Sequence, residues 1–252
     1  MNFKDLHHLN KPLLIGNVWD VTSARIVEKL NYAAMATSSG AIAAMLGYLD
    51  GEEMSFSELE YIIKRIVKNV HLLLSVDLEA GYSRHPDEVV DHIARLTQVG
   101  VVGINLEDSL ANEQRKLIHA DDFSQQLETI CTSLKSQGID VFINVRTDTF
   151  LLNHTNPIEE TIKRAKQYEK AGADGIFVPC IEKEADIKCI VQATHLPLNV
   201  MSMPNLPDFQ TLKTLGVKRM SMGNFAHTKM LNQLENILLS IKSSGSFKPV
   251  FQ

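Results

Sequence analysis

The chain has 252 residues, long for an ordinary domain but normal for one α/β barrel, and enough to bury a substantial core. Its formal charge of −5 offers no basic footprint for nucleic acid, and no apolar run approaches the ~20 residues of a membrane helix. Three cysteines without paired spacing (Cys131, Cys180, Cys189) and an N-terminus lacking a signal-like apolar stretch lead to the expectation of a reduced, cytoplasmic setting.

Residues 12–15 read as a first strand. Residues 21–30 read as a helix, because Val21, Ala24, Val27 and Leu30 recur at helical spacing. A second strand at 33–37 runs into Ser38, Ser39 and Gly40. A helix at 56–70, with Leu59, Ile62, Ile63 and Ile66 on one face, leads to strand three at 71–76. The helix at 87–99 ends at Gly100, strand four spans 101–106, and the helix at 121–137 ends at Gly138. Strand five is 141–145, the helix at 158–171 closes at Gly172, and strand six is 175–178. A short helix at 184–193, strand seven at 198–201, a helix at 208–215, strand eight at 217–220 and a last long helix at 226–242 complete the series.

Eight strand–helix units predict one domain over residues 1–252, folded as a closed (β/α)8 TIM barrel. Leu72, Leu73 and Leu74, and again Val101 and Val102, are apolar at consecutive positions, as in strands covered on both faces. A doubly wound sheet would carry a glycine-rich phosphate turn after strand one, and the run from Gly16 to Asp20 has none. Residues 243–252 are rich in small and polar residues and are expected to be loose or to reach a neighbouring subunit, and helix and tail together (226–252) are candidates to pack on one.

Catalytic groups of such barrels gather where strands end. Strand three runs into Asp77 and Glu79, strand four into Glu107 and Asp108, strand five into Arg146 and Asp148. Singly, these could be solvated loop acids, a helix cap or an ordinary ion pair. Together they are negative charges that would raise one another's pKa unless a divalent cation joined them. An all-oxygen set suits Mg2+, with Mn2+ as an alternative, and the absence of His and Cys argues against zinc. After strand two, Thr37, Ser38, Ser39, Gly40 and Ala41 could turn backbone N–H groups toward an anion, or could be a plain turn with a serine cap. Asp50, before Gly51, could be a turn aspartate.

The order Asn17-Val18-Trp19-Asp20, Ser39-Gly40, Asp50, Asp77-Leu78-Glu79-Ala80-Gly81-Tyr82, Glu107-Asp108 and Arg146-Thr147-Asp148 resembles the isocitrate lyase/phosphoenolpyruvate mutase superfamily, over about residues 13–225. The branch it is most similar to is the one labelled after carboxyphosphonoenolpyruvate mutase. The resemblance implies a barrel whose last helix is swapped between subunits, in homodimers paired into homotetramers. It implies that Asp77 binds Mg2+ most directly, with Asp50, Glu79 and Glu107 holding metal-bound waters or standing behind the groups that do. It also implies that the amides of Ser39, Gly40 and Ala41, with Thr37 beside them, bind a substrate carboxylate, and that Arg146 clamps a carboxylate or other oxyanion. Arg146, Asp50 and Glu107 would then be the catalytic set. Ligands would be small 2-oxo acids or their precursors, handled through an enolate.

One stretch departs from the pattern. Where isocitrate lyases carry a Lys-Lys-Cys-Gly-His gating loop, residues 109–117 contain neither Cys nor His, and the Lys-Thr-Asn-Ser run of phosphonopyruvate mutases is also missing. Glu113, Arg115 and Lys116 are the residues of that loop that could supply a proton. Cys180 after Pro179 reads as a packed small residue rather than a replacement acid. The leading expectation is therefore a Mg2+-dependent carbon–carbon lyase. A non-catalytic 2-oxo acid binder, or a P–C bond mutase or hydrolase, stands beside it. A sugar-phosphate barrel is disfavoured because strands seven and eight end without paired glycine turns.

Overall fold

The structure, a computed structural model, describes residues 2–111 and 114–251. In chain order it contains α1 (Phe3–Leu6), β1 (Leu13–Val18), α2 (Val21–Lys29), β2 (Ala34–Thr37), α3 (Ser39–Leu46), α4 (Phe56–Val67), β3 (Leu73–Asp77), α5 (Pro86–Gln98) and β4 (Val101–Glu107). A two-stranded antiparallel hairpin follows, β5 (Ser109–Ala111) and β6 (Arg115–Leu117). Then come α6 (Ala120–Ser136), β7 (Phe142–Arg146), α7 (Pro157–Ala171), β8 (Gly175–Phe177), α8 (Glu184–Ala193), β9 (Leu198–Met201), α9 (Phe209–Leu215), β10 (Arg219–Ser221) and α10 (Phe225–Ser244).

Eight strands close in the order β1-β10-β9-β8-β7-β4-β3-β2, every neighbouring pair parallel, so the fold is the expected (β/α)8 barrel. Alternation along the strands sorts the core. Outward residues such as Met35, Leu74, Val76, Ile104, Val145 and Val200 pack with the apolar stripes of the helices into one large cluster. Inside the barrel's lower end, Leu13, Ile15, Ala34, Ala36 and Phe142 pack with Phe3 and Leu6 of α1. That helix plugs the end of the barrel opposite the strand C-termini. Its His7 stacks on Phe142 at 3.9 Å between ring centroids. The turn was not expected from sequence; a capping box between Asn2 and Asp5 starts it.

Three boundaries differ from expectation in a way that matters. Strands β3, β4 and β7 run one residue further than predicted and end on Asp77, Glu107 and Arg146, so these side chains are the last inward-facing rungs rather than loop residues. A one-residue register shift between Leu74 and Ser75 aligns Asp77 with Asn105, while Glu107 pairs in register with Arg146. The polar stretch read as a gating loop is, in its described part, the β5–β6 hairpin. Among the described residues no helix is long and apolar enough to cross a membrane.

Helix α10 extends from the barrel with His227 as its one buried residue, edge-on to Trp19 at 4.9 Å. Met230, Leu231, Leu234, Leu238 and Leu239 are exposed along it, and Phe247 and Phe251 beyond it.

Candidate active site

At the end of β2 the chain turns into α3, whose N-cap is Ser38 in extended conformation. The Ala41 N–H donates to Ser38 Oγ at 3.3 Å. This leaves the amides of Ser39 and Gly40, in the first turn, without an intrahelical acceptor. Ser39 Oγ donates to Asp77 Oδ2 at 2.9 Å and lies 3.5 Å from Asp50 Oδ1. Thr37 Oγ1 accepts the Asp77 N–H at 2.9 Å, which fixes the end of β3 against β2. Glycine at position 40 permits a close approach: a Cβ there would stand 3.2 Å from the Asp50 carboxyl carbon, so Asp50 would have to give way. Gly51, at φ 120°, is held by both backbone and space, since a Cβ would collide with that of Ala111 on β5.

Beside this pair of aspartates lie two more acids. Glu79 sits at φ 49°, an unfavourable backbone region for a non-glycine residue. It accepts from the Tyr82 hydroxyl at 2.9 Å, and its carbonyl accepts the Glu107 N–H at 2.7 Å. Burial, then the charges of Asp77, Asp50 and Glu107, push the Glu79 carboxyl up to about 8. Burial and Asp77 raise Asp50, and burial raises Glu107 even though Arg146 and Arg115 pull against it.

Two guanidiniums face these acids. Arg146 donates through Nε and Nη2 to Asp148 at 2.7 and 3.0 Å, and its Nη1 lies 3.0 Å from Glu107 Oε2. Arg115, on β6, reaches back to pair with Glu107 and lies 3.2 Å from Asp148 Oδ2. Behind them, fully buried Asp108 accepts from Arg164 at 2.9 Å, from the Tyr168 hydroxyl at 2.7 Å and from the Asp148 N–H at 3.2 Å. This cluster fixes the backbone that carries Asp148 and therefore the rotamer of Arg146.

These groups open on a cavity of about 230 Å3 at the strand C-termini. Thr37, Ser39, Gly40, Asp50, Asp77 and Arg146 line it. Glu79 and Glu107 lie just behind, 3% and 2% exposed. Ala41 is not on its wall; it is buried in the core with its amide already donated, so only two of the three amides remain for an anion. The fork of Arg146 is filled by Asp148, so what faces the cavity is not an open bidentate clamp. Glu113 lies outside the described residues. Cys180 is half-buried beyond Pro179, at φ 64°, with its thiol pushed up by burial. A larger cleft of about 580 Å3 lies at the other end, between α6 and α7, where Lys4 already pairs with Asp140 and Asp174.

A divalent cation fits the donor set. Asp77 Oδ1 and Glu79 Oε2 are buried carboxylate oxygens without a hydrogen-bond partner among the described residues. Among the described residues no three His, Cys, Asp or Glu side chains stand in direct-ligation geometry. An ion here would thus be held by one or two carboxylates, with water and ligand oxygens completing the shell, the habit of Mg2+.

Sequence reasoning missed the polar interior beneath the cavity. Asn105, Asn144, Asn199, Arg219 and Ser221 point inward where barrels usually carry Val, Ile or Leu. Their signal was available: each alternates with an outward apolar neighbour in its strand.

Residues 3–242 match the family model described as phosphoenolpyruvate phosphomutase. An uncharacterised protein of Mycobacterium tuberculosis is 32% identical over 228 residues, 90% of this chain and 84% of its own. An oxaloacetate decarboxylase of Paraburkholderia xenovorans is 27% identical over 237 residues, 91% of this chain and 77% of its own. Among solved structures, a Burkholderia cenocepacia protein described provisionally as a phosphonomutase superposes with a TM-score of 0.88 at 36% identity, covering 94% of this chain and 97% of its own.

Proposed function

The chain belongs to the phosphoenolpyruvate phosphomutase family, within the isocitrate lyase/phosphoenolpyruvate mutase superfamily of lyase and mutase enzymes, and on that premise we propose that it cleaves a carbon–carbon bond in a small 2-oxo acid with the help of Mg2+ or Mn2+. The observation that carries the reading is the unpartnered Asp77 Oδ1, buried beside Asp50 and the first turn of α3. Acid and amide groups at that spacing suit a cation and a carboxylate bound side by side. When bound, the cation supplies stabilisation of the negative charge that develops on the 2-oxo oxygen as the bond at C3 breaks.

The residues divide the work. Asp77 would ligate the ion, with Asp50, Glu79 and Glu107 receiving its waters. The amides of Ser39 and Gly40, with Thr37 beside them, would hold the substrate carboxylate. Arg146 would present Nη1 to an oxyanion while Asp148 keeps its fork in place. Arg115 and the β5–β6 hairpin would exclude water above the site. Arg146, Asp50 and Glu107 remain the proposed catalytic set.

Oxaloacetate is the first substrate to test, since decarboxylases of it are among the relatives. Purified protein with Mg2+ should release pyruvate from oxaloacetate faster than Mg2+ alone, and EDTA should abolish the difference. Equal rates with and without protein would remove oxaloacetate. The likeness at 36% identity to a protein described as a phosphonomutase favours P–C bond chemistry as the second reading, tested with phosphonopyruvate in the same assay.

We also propose that α10 packs against a second copy of the chain, in a homodimer or homotetramer. Its exposed leucines suit the apolar core of a subunit interface.

A further inference from the structure

Arg219 is the first residue of β10 and points into the barrel, one inward step below Ser221. It is 1% exposed, yet it borders the cavity. Among the described residues no carboxylate oxygen lies within 4.0 Å of its nitrogens. Among the described residues its guanidinium makes one hydrogen bond, a long one from Nη2 to Asn105 Oδ1 at 3.4 Å, and both Nε and Nη1 have no partner. A buried guanidinium in that condition is costly, and barrels normally fill this layer with apolar side chains.

The surroundings show that the charge is not neutralised from within the barrel. Asn144 Nδ2 donates to Asn105 Oδ1 at 2.9 Å and to Asn199 Oδ1 at 3.1 Å. Asn199 Nδ2 donates to Val200 O at 2.7 Å and Ser221 Oγ at 3.1 Å. These neutral amides bond to one another and carry no charge, and among the described residues Asn144 Oδ1 is left without a donor. From below, His7 feels the Arg219 charge and is kept neutral by burial and by Arg219 itself. From above, the Asp77 charge favours the guanidinium from beyond ion-pair distance; burial still holds it below its ordinary range, at about 10. The remaining compensation has one direction to come from, the cavity.

We infer that Arg219 recognises a second acidic group of the substrate, a carboxylate or a phosphonate, taken at the floor of the cavity opposite the amides of Ser39 and Gly40. This deepens the proposed reading and rests on it for the position of the 2-oxo end. Asn105 is level with Asp77 in the β3–β4 register, and Arg219 touches Asn105. A ligand whose 2-oxo end sits at Asp77 can therefore extend its other end toward Arg219. The site selects dianionic 2-oxo acids over pyruvate, which has nothing to offer the floor.

Calorimetry in Mg2+ with pyruvate, 2-oxoglutarate and phosphonopyruvate tests this, using wild type and Arg219→Met, a side chain of similar length without charge. The dianions should bind wild type about 30-fold or more tighter than pyruvate. Arg219→Met should erase that advantage and leave pyruvate affinity unchanged. The dianion that loses more identifies the acid. Wild-type preference retained within about threefold in Arg219→Met would overturn the floor site, while EDTA sensitivity of binding would keep the proposed function standing. Conversely, affinities indifferent to EDTA with a full Arg219 effect would sink the metal reading alone. No affinity of wild type for any of the three acids overturns both. The ligand-free variant should melt at or above wild type, because no ion pair is lost. A fall of more than about 5 °C would make Arg219 structural and end the proposal. If Arg219→Met does not fold, Arg219→Lys, which keeps the charge and loses the fork, should weaken the dianions about tenfold and spare pyruvate; no weakening overturns the proposal.

Discussion

Replacing Gly40 by alanine should separate stability from function. The position lies in the first turn of α3, where alanine is favoured over glycine by up to about 1 kcal/mol. Against that gain, the new methyl would stand 3.2 Å from Asp50 Cγ and Oδ1 and 3.3 Å from Oδ2. Asp50 must then move by a few tenths of an ångström, at a cost of about the same size. The two effects nearly cancel, so urea denaturation should place Gly40→Ala within about 0.5 kcal/mol of wild type. The site does not share that balance. The methyl intrudes between Asp50 and the amides that would cradle the substrate carboxylate, and displacements of this order in a preorganised site cost about tenfold to a hundredfold. Calorimetric titration with oxalate in Mg2+ reads that loss directly. Unchanged oxalate affinity would refute the claim that glycine is there for the close approach of Asp50, and a destabilisation above about 2 kcal/mol would refute the claim that Asp50 gives way at small cost.

Arg164→Met should be strongly destabilising, by about 3 kcal/mol in thermal denaturation, because it leaves fully buried Asp108 without its cationic partner; a loss below about 1 kcal/mol would contradict the role given to that cluster. Glu79 should make the metal-free protein less stable as pH rises. Its carboxyl is held at about 8 folded against an ordinary value of 4.5, so the folded state binds the extra proton. Stability should fall between about pH 4.5 and 8, by at most about 1.4 kcal/mol per unit, and Mg2+ should flatten the slope. Urea midpoints in EDTA that rise with pH across this window would contradict the assignment. Light scattering should give a dimer or tetramer, and Leu234→Glu with Leu238→Glu should shift it toward monomer; a monomeric wild type would contradict the interface read from α10.

The barrel was legible because its signals are periodic. Apolar stripes on the helices, strands apolar at consecutive positions, and Gly100, Gly138 and Gly172 past helix ends each report a local physical requirement. The charged groups at strand ends were legible for the same reason: Asp77, Glu107 and Arg146 interrupt apolar runs. What remained hidden depends on closure of the sheet. Arg219, Asn105, Asn144 and Asn199 acquire a common interior only when β10, β9, β7 and β4 come round the barrel, and a strand read alone does not say which face is inside. The hairpin was hidden for another reason. Three-residue strands with polar sequences carry too little periodicity to register, so Arg115 appeared as a loop residue rather than a partner of Glu107. Ala41 shows the limit of reading a turn as an anion cradle, because the serine cap that favours the helix also consumes the amide.

Oxalate titrated into wild-type protein with Mg2+, with EDTA, and into Asp77→Ala with Mg2+ addresses the central claim most directly. Binding should require the metal and disappear in Asp77→Ala, while circular dichroism shows the barrel intact. Affinity indifferent to EDTA and to the loss of the Asp77 carboxylate would contradict the account.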